Sequence, residues 1–190
     1  KTAYLFTGQG SASVGMGMDR YDEVEGVRRV WDRADAHLRS RFGFSILDIV
    51  RRNPKELTIH FGGPKGKVLR DNYRAIRVSD PVTGRVTQLL PEIGPDTKSF
   101  TFKSPTEGLL FATQFAQPAL VIIQKAAFQE LVDGGLVPDD SLFAGHSLGE
   151  YAALASFADV MSVEDLVETV FLRGMVMQNA VSTRSYTLMT

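Results

Sequence analysis

The chain has 190 residues, 44% apolar and 23% charged, which suits one α/β domain with a substantial core and excludes a disordered or collagen-like polypeptide. Its 21 Lys+Arg against 22 Asp+Glu leave a net charge of −1, unlike the strongly basic balance of a dedicated nucleic-acid binder. The absence of cysteine removes disulfides, thiolate zinc sites and a cysteine nucleophile together, and it fits a reducing compartment such as the cytoplasm. Three scattered histidines (His37, His60, His146) are too few for a metal cluster. No apolar run approaches the about 18 residues of a membrane span, and no signal peptide opens the chain. It begins at Lys1 inside a strand, as a piece of a larger polypeptide would.

Ala3–Thr7 reads as a short apolar strand running into Gly8-Gln9-Gly10. Val24, Val27, Val30, Trp31, Ala34 and Leu38 recur at helical spacing and predict one amphipathic helix. Residues 51–106 carry eleven Lys/Arg and five Asp/Glu, a net of +6 against −7 for the rest. This stretch lacks helical periodicity and contains Gly62-Gly63-Pro64, Asp80-Pro81 and Thr83-Gly84. It is expected to be a basic insertion of short strands with a hairpin about Gly84. Its charges form a solvated or docking face, or attract a phosphorylated substrate. Pro118 predicts the start of a second helix over Ala119–Val132, ended by Asp133-Gly134-Gly135. Ser141–Gly145 is expected to be a short buried strand, followed at once by a helix over Ser147–Phe157. Ser162 then caps a long helix, with Asp165 in the capping-box position. Strands alternating with helices imply an α/β fold with a short parallel sheet covered by helices.

Gly145-His146-Ser147-Leu148-Gly149 matches G-x-S-x-G between a predicted strand and a predicted helix, the context in which that pattern makes a nucleophile elbow. The glycines permit the tight turn, and the helix N-terminus offers free N–H groups and a positive dipole end to a developing oxyanion. Ser147 is therefore the candidate nucleophile; the alternative is a glycine-rich turn with a capping serine. A nucleophilic serine needs a base, normally histidine. His146 is adjacent and should point away, and no histidine follows it, so the expected base lies outside these residues.

In the last helix Leu166, Val170 and Met177 form an apolar stripe, and at 100° per residue Arg173 falls within about 20° of Leu166. A guanidinium on such a stripe either snorkels to solvent, pairs with a structural carboxylate, or clamps a substrate carboxylate. Gly8-Gln9-Gly10 is a glycine turn or a backbone cradle for a ligand; it does not continue as G-x-G-x-x-G, which rejects a dinucleotide site.

Together Phe6-Thr7-Gly8-Gln9-Gly10-Ser11, Gln117-Pro118-Ala119, Gly145-His146-Ser147-Leu148-Gly149-Glu150-Tyr151 and Arg173-Gly174 with Met177-Gln178 resemble the malonyl/acyl-CoA:acyl-carrier-protein transacylase family. Trp31-Asp32-Arg33-Ala34-Asp35 and Asn53–Gly63 resemble one branch, the malonyl/palmitoyl transferase domain of the fungal type I fatty acid synthase β subunit. A synthase making a polyketide starter chain would look similar. The resemblance implies an α/β-hydrolase-like large subdomain, with residues 1–190 as the N-terminal part of one acyltransferase domain. The small ferredoxin-like subdomain, which holds the family's catalytic histidine, would begin near Tyr186–Thr190 and be truncated. It further implies that Ser147 carries the acyl group, that the backbone N–H groups of Gln9 and Leu148 form the oxyanion hole, and that Arg173 binds the malonyl carboxylate. His146 and Gln117 are placed as further pocket residues. No cofactor or metal is expected; CoA thioesters are the substrates, and the phosphopantetheine belongs to the acyl carrier protein. The implied partners are malonyl-CoA, palmitoyl-CoA, the carrier protein and the other domains and subunits of a cytoplasmic synthase, with no nucleic acid and no membrane. Ala12 departs from the family's usual glutamine after the serine. The alternative function is a serine hydrolase or thioesterase of α/β-hydrolase type, which leaves Arg173 without a role.

Overall fold

The computed structural model of the protein describes residues 1–80, 82–157 and 160–183. Strand β1 (Ala3–Phe6) leads through a glycine-rich loop into helices α1 (Met18–Glu23), α2 (Glu25–Phe42) and α3 (Ile46–Arg52). Next come β2 (Glu56–His60), α4 (Gly63–Ala75), β3 (Arg77–Ser79), β4 (Val86–Gln88) and β5 (Ser99–Lys103). A 3-10 turn at Leu109–Phe111 enters α5 (Thr113–Asp133), followed by β6 (Leu142–Gly145), α6 (Leu148–Ser156) and α7 (Val163–Thr183). β1 and β6 pair in parallel, with Ala3 opposite Leu142 and Phe6 opposite Gly145. β2 pairs antiparallel with β5, and β3 with β4 in the hairpin expected about Gly84.

Helix α5 organises the core. Every residue from Gln114 to Ile122 is buried, so this helix has no solvent face along that length. Its most extensive contact is with α7, and α2 and α6 pack around it. Of the apolar positions read from sequence for this helix, Val27, Val30, Trp31, Ala34 and Leu38 of α2 are buried, while Val24 is the half-buried residue that precedes its first turn. Phe42, Phe44, Phe115 and Phe171 meet as an aromatic cluster with centroid distances of 4.7 to 6.1 Å. Buried Asp35 ties α2 to the start of α3 by accepting from Ser45 Oγ (2.6 Å) and the Leu47 N–H (3.1 Å).

Four expectations are corrected. The stretch 51–106 contains a thirteen-residue helix, α4, although its sequence shows no helical stripe. Here packing overrides periodicity: Gly66 presses on the Phe61 backbone, and Tyr73 is buried, donating its hydroxyl to the Phe42 carbonyl at 2.8 Å. Second, α5 begins at Thr113, with Pro118 inside it, because Gln178 Oε1 accepts from the Thr113 N–H (3.0 Å) and caps the helix from 65 residues away. Third, β6 is not a buried strand: Phe143 faces Tyr4, Phe6 and Phe128, but Leu142 on the other face is 57% exposed and Leu5 beside it on β1 76%. The parallel sheet is thus covered on one face among the described residues, and an open apolar cleft of about 610 Å³ runs along β6 and α6. Fourth, Leu166 and Val170 are buried as read, whereas Met177 is 42% exposed, with only its sulfur reaching Gln117 of α5. The expected boundary at Tyr186–Thr190 lies outside the described residues. No helix among the described residues is long and apolar enough to cross a membrane.

Helices α2 and α7 are also joined by a ladder of ion pairs at four-residue spacing. Arg33 donates twice to Glu164 (2.9 and 2.7 Å), and His37 and Arg41 both bond Glu168 (2.6 and 3.1 Å). The Arg33 hydrogen bonds hold the Glu164 carboxyl below the usual carboxylate range. Burial opposes the Glu168 charge, but Arg41 and His37 outweigh it and lower that pKa as well. A depressed folded pKa stabilises the fold above the unfolded pKa and loses that contribution as pH falls through the folded one. Glu164→Gln is expected to lower stability at neutral pH by less than about 1 kcal/mol, since both partners keep solvent contact. The Tm difference from the wild type should close between about pH 6 and about pH 3, as read by thermal denaturation.

Candidate active site

The site is assembled where the ends of β1 and β6 meet the N-terminus of α6. Ser147 sits between β6 and α6 with φ 53° and ψ −104°, a backbone conformation that costs an L-residue about 1–3 kcal/mol. Asn53 is the other non-glycine residue with positive φ among those described. The turn is held by backbone contact. A Cβ at Gly145 would overlap the Gly149 carbonyl and the Glu150 nitrogen, and one at Gly149 would overlap the Phe6 and Thr7 carbonyls. The two glycines of the motif therefore let β6, α6 and the end of β1 approach without side chains between them. The His146 N–H donates to the Phe6 carbonyl (3.2 Å) and closes the same junction. Ser147 is exposed, and the Leu148 N–H behind it is the first of α6, with no carbonyl four residues back inside the helix.

Arg173 reaches this serine from α7. Its Nη2 donates to Ser147 Oγ at 3.0 Å and its Nη1 to Gln117 Oε1 at 2.8 Å, while the guanidinium lies over the Tyr151 ring, 5.7 Å from the centroid. Gln117, fully buried on α5, donates its Nε2 to Gln9 Oε1 (3.2 Å) and to Met177 Sδ (3.3 Å). Gly174 brings α7 onto α5 so closely that a Cβ would meet Gln114 Cα at 2.6 Å. Among the described residues no carboxylate pairs with Arg173. The guanidinium of this core-facing arginine points at the candidate nucleophile.

The glycine loop after β1 lies beside this network. Thr7–Ser11 and His146 line an open cavity of about 350 Å³, and Gly8 approaches His146 so that a Cβ there would stand 3.1 Å from Nδ1. His146 points to this loop and makes no hydrogen bond to Ser147, as its adjacency led one to expect. His37 is engaged by Glu168, and His60 is exposed on β2. No group of three His, Cys, Asp or Glu among the described residues is placed to hold a metal ion.

The sequence profile of the acyl transferase domain matches residues 3–188. The chain belongs to the acyl transferase domain family. The chain is 57% identical to fatty acid synthase subunit beta of Saccharomyces cerevisiae over 182 residues, and 52% identical to that of Schizosaccharomyces pombe over 183. Each match covers 95% of this chain and 9% of the relative, so the chain spans about a tenth of the length of these proteins. Malonyl CoA-acyl carrier protein transacylase from Clostridium perfringens superposes with a TM-score of 0.59 at 25% identity, over 95% of this chain and 39% of that one. The α/β fold with a short parallel sheet and flanking helices is the one these transacylases share.

The structure brings Ser147, Leu148, Gln9, Gln117 and Arg173 into one cluster. Two neighbours of this cluster carry no site role in the reading of the sequence. Tyr151, the platform under Arg173, is four residues beyond Ser147 on α6 and so shares its face, a spacing that could have shown it. Met177, read as core, supplies instead a sulfur acceptor to Gln117. If the glycine contacts hold the turn, Gly149→Ala should lower stability by about 3 kcal/mol. Ser147→Gly, which relieves the positive φ, should hold stability or gain about 1 kcal/mol. Urea unfolding midpoints of the two variants check both.

Proposed function

We propose that Ser147 is the nucleophile of a ping-pong acyl transfer that moves malonyl, and palmitoyl, between CoA and acyl carrier protein as part of a fatty acid synthase. The observation that carries this reading is the Arg173–Ser147 contact. A cation without a carboxylate partner, 3.0 Å from the nucleophile hydroxyl, suits an acyl group that ends in a carboxylate. A general serine hydrolase or thioesterase has no use for it. The contact also fits the chemistry, because the guanidinium donates to Oγ and leaves the hydroxyl proton available to a base.

In the first half-reaction Ser147 Oγ attacks the thioester carbonyl carbon and the hydroxyl proton passes to the base. The base in this reading is a histidine of a ferredoxin-like subdomain carried outside residues 1–190. The carbonyl oxygen, now negative, is held by the N–H groups of Gln9 and Leu148. Support for these donors is the unpaired first N–H of α6 and the tether of the Gln9 side chain to Gln117, which steadies its loop. The C–S bond breaks, CoA leaves as the thiol with the proton returned by the base, and malonate remains as an ester on Ser147, its carboxylate on Arg173. In the second half-reaction the phosphopantetheine thiol of the carrier protein gives its proton to the base and attacks the ester carbonyl; the bond to Ser147 Oγ breaks, the base returns the proton to that oxygen, and the acyl group leaves as the carrier-protein thioester. No metal or cofactor enters these steps. Cytoplasmic placement within a larger synthase follows from the same reading.

The decisive experiment exposes the full-length protein to malonyl-CoA without carrier protein and maps added mass by peptide mass spectrometry. A malonyl ester on Ser147 is expected; steady release of free malonate with no adduct would favour the hydrolase. Arg173→Ala should lower kcat/KM for malonyl transfer by about 100-fold, with palmitoyl transfer changed by less than about threefold. Equal losses for both donors would count against the assignment of Arg173.

A further inference from the structure

We propose that Gln117 is a positioning residue: it holds Arg173 in the pose that receives a carboxylate and so sets the preference of the site for malonyl over neutral acyl groups. This rests on the reading of Ser147 and Arg173 given above. Gln117 is 0% exposed, Arg173 is half-buried and Ser147 is exposed, so the guanidinium is anchored at its buried end and free at the end that meets substrate. The orientation of the Gln117 amide is set by its surroundings. Nε2 faces two acceptors, Gln9 Oε1 and Met177 Sδ, and Oε1 faces the Arg173 Nη1 donor. A flipped amide would put N–H against N–H and oxygen against sulfur.

Backbone registration supports this anchor. Gly174, next to Arg173, presses on Thr113 and Gln114 of α5, and Gln178 caps the first turn of the same helix. The Cα positions of Arg173 and Gln117 are thus fixed relative to each other by contacts on either side. A malonyl carboxylate can displace Ser147 from Nη2 and take the second N–H of Nη1 while Gln117 keeps its own, because a guanidinium carries five donors. A long neutral chain gains nothing from Arg173. If the guanidinium swings aside to make room, Gln117 Oε1 is left as a buried acceptor without a partner. That penalty biases Arg173 toward the carboxylate-binding pose by about tenfold or more.

The test compares acyl-Ser147 formation from malonyl-CoA and from palmitoyl-CoA in the full-length wild type, in Gln117→Met and in Gln9→Ala. Methionine keeps the volume and removes all three polar contacts of the amide. The expected result in Gln117→Met is a malonyl KM raised about tenfold or more with kcat for loading changed less than about threefold, and palmitoyl loading equal to or faster than wild type. Gln9→Ala touches an exposed side chain and carries little folding risk. It should shift the malonyl-to-palmitoyl ratio in the same direction by about two- to fivefold. A merely structural role would lower both donors together. Parallel loss in Gln117→Met with an unchanged ratio in Gln9→Ala overturns the proposal, as does an unchanged ratio in both variants. A wild type that forms no acyl-Ser147 with either donor overturns instead the functional reading on which the proposal rests.

Discussion

Helix α5 has no solvent face from Gln114 to Ile122, and most of the architecture follows from that burial. Buried Gln114 Oε1 has no hydrogen-bond partner, and a helix enclosed by α2, α6, α7 and the aromatic face of the sheet must draw partners for its other polar groups from its neighbours. Gln117 does so through Arg173, Gln9 and Met177, which come from α7, the β1 loop and α7 again. The Thr113 N–H does so through Gln178. The enclosed amide therefore recruits the residues that form the site, and the site stands where α5 meets the two elements that reach it.

Precision at that point comes from glycine. Gly149 on Phe6, Gly145 on Gly149 and Gly174 on Gln114 are backbone-to-backbone approaches that no other residue permits. Interiors packed this closely transmit small displacements, so the distance between Ser147 and Arg173 depends on backbone seats more than on flexible side chains. The same seats hold Ser147 in a conformation that an isolated turn would relax, which places the hydroxyl proud of the sheet and behind it the Leu148 N–H, the first of α6.

The basic stretch 51–106 is part of this body as well as its surface. Ile59, Phe61, Tyr73 and Phe102 enter the common core, with Phe102 edge-on to Phe115 at 5.2 Å and Tyr73 against Phe42 at 5.7 Å. On α4, Lys65 and Lys67 face solvent. A segment of opposite charge balance to the rest is thus stitched in by apolar and aromatic contacts and by hydrogen bonds such as that from the Tyr73 hydroxyl to the Phe42 carbonyl.

What was legible in the sequence was local or periodic. The α2 stripe, the Ser162–Asp165 cap with its 3.0 Å bond, the Gly84 hairpin and the strand–Ser147–helix turn each follow from residues within a few positions of one another. The angle of Arg173 on its helix was also readable, because helical geometry carries it. The long-range features were not readable. The true start of α5 depends on a cap 65 residues away, α4 on a glycine and a tyrosine that find their partners only in the fold, and the exposure of β6 on what packs against it. The sequence by itself determined the strand–Ser147–helix turn and a cation on the inward face of the last helix. Only the tertiary structure decided that this cation ends on Ser147 and is held by Gln117, because that choice depends on the distances between helices, which the burial of α5 and its glycine contacts set.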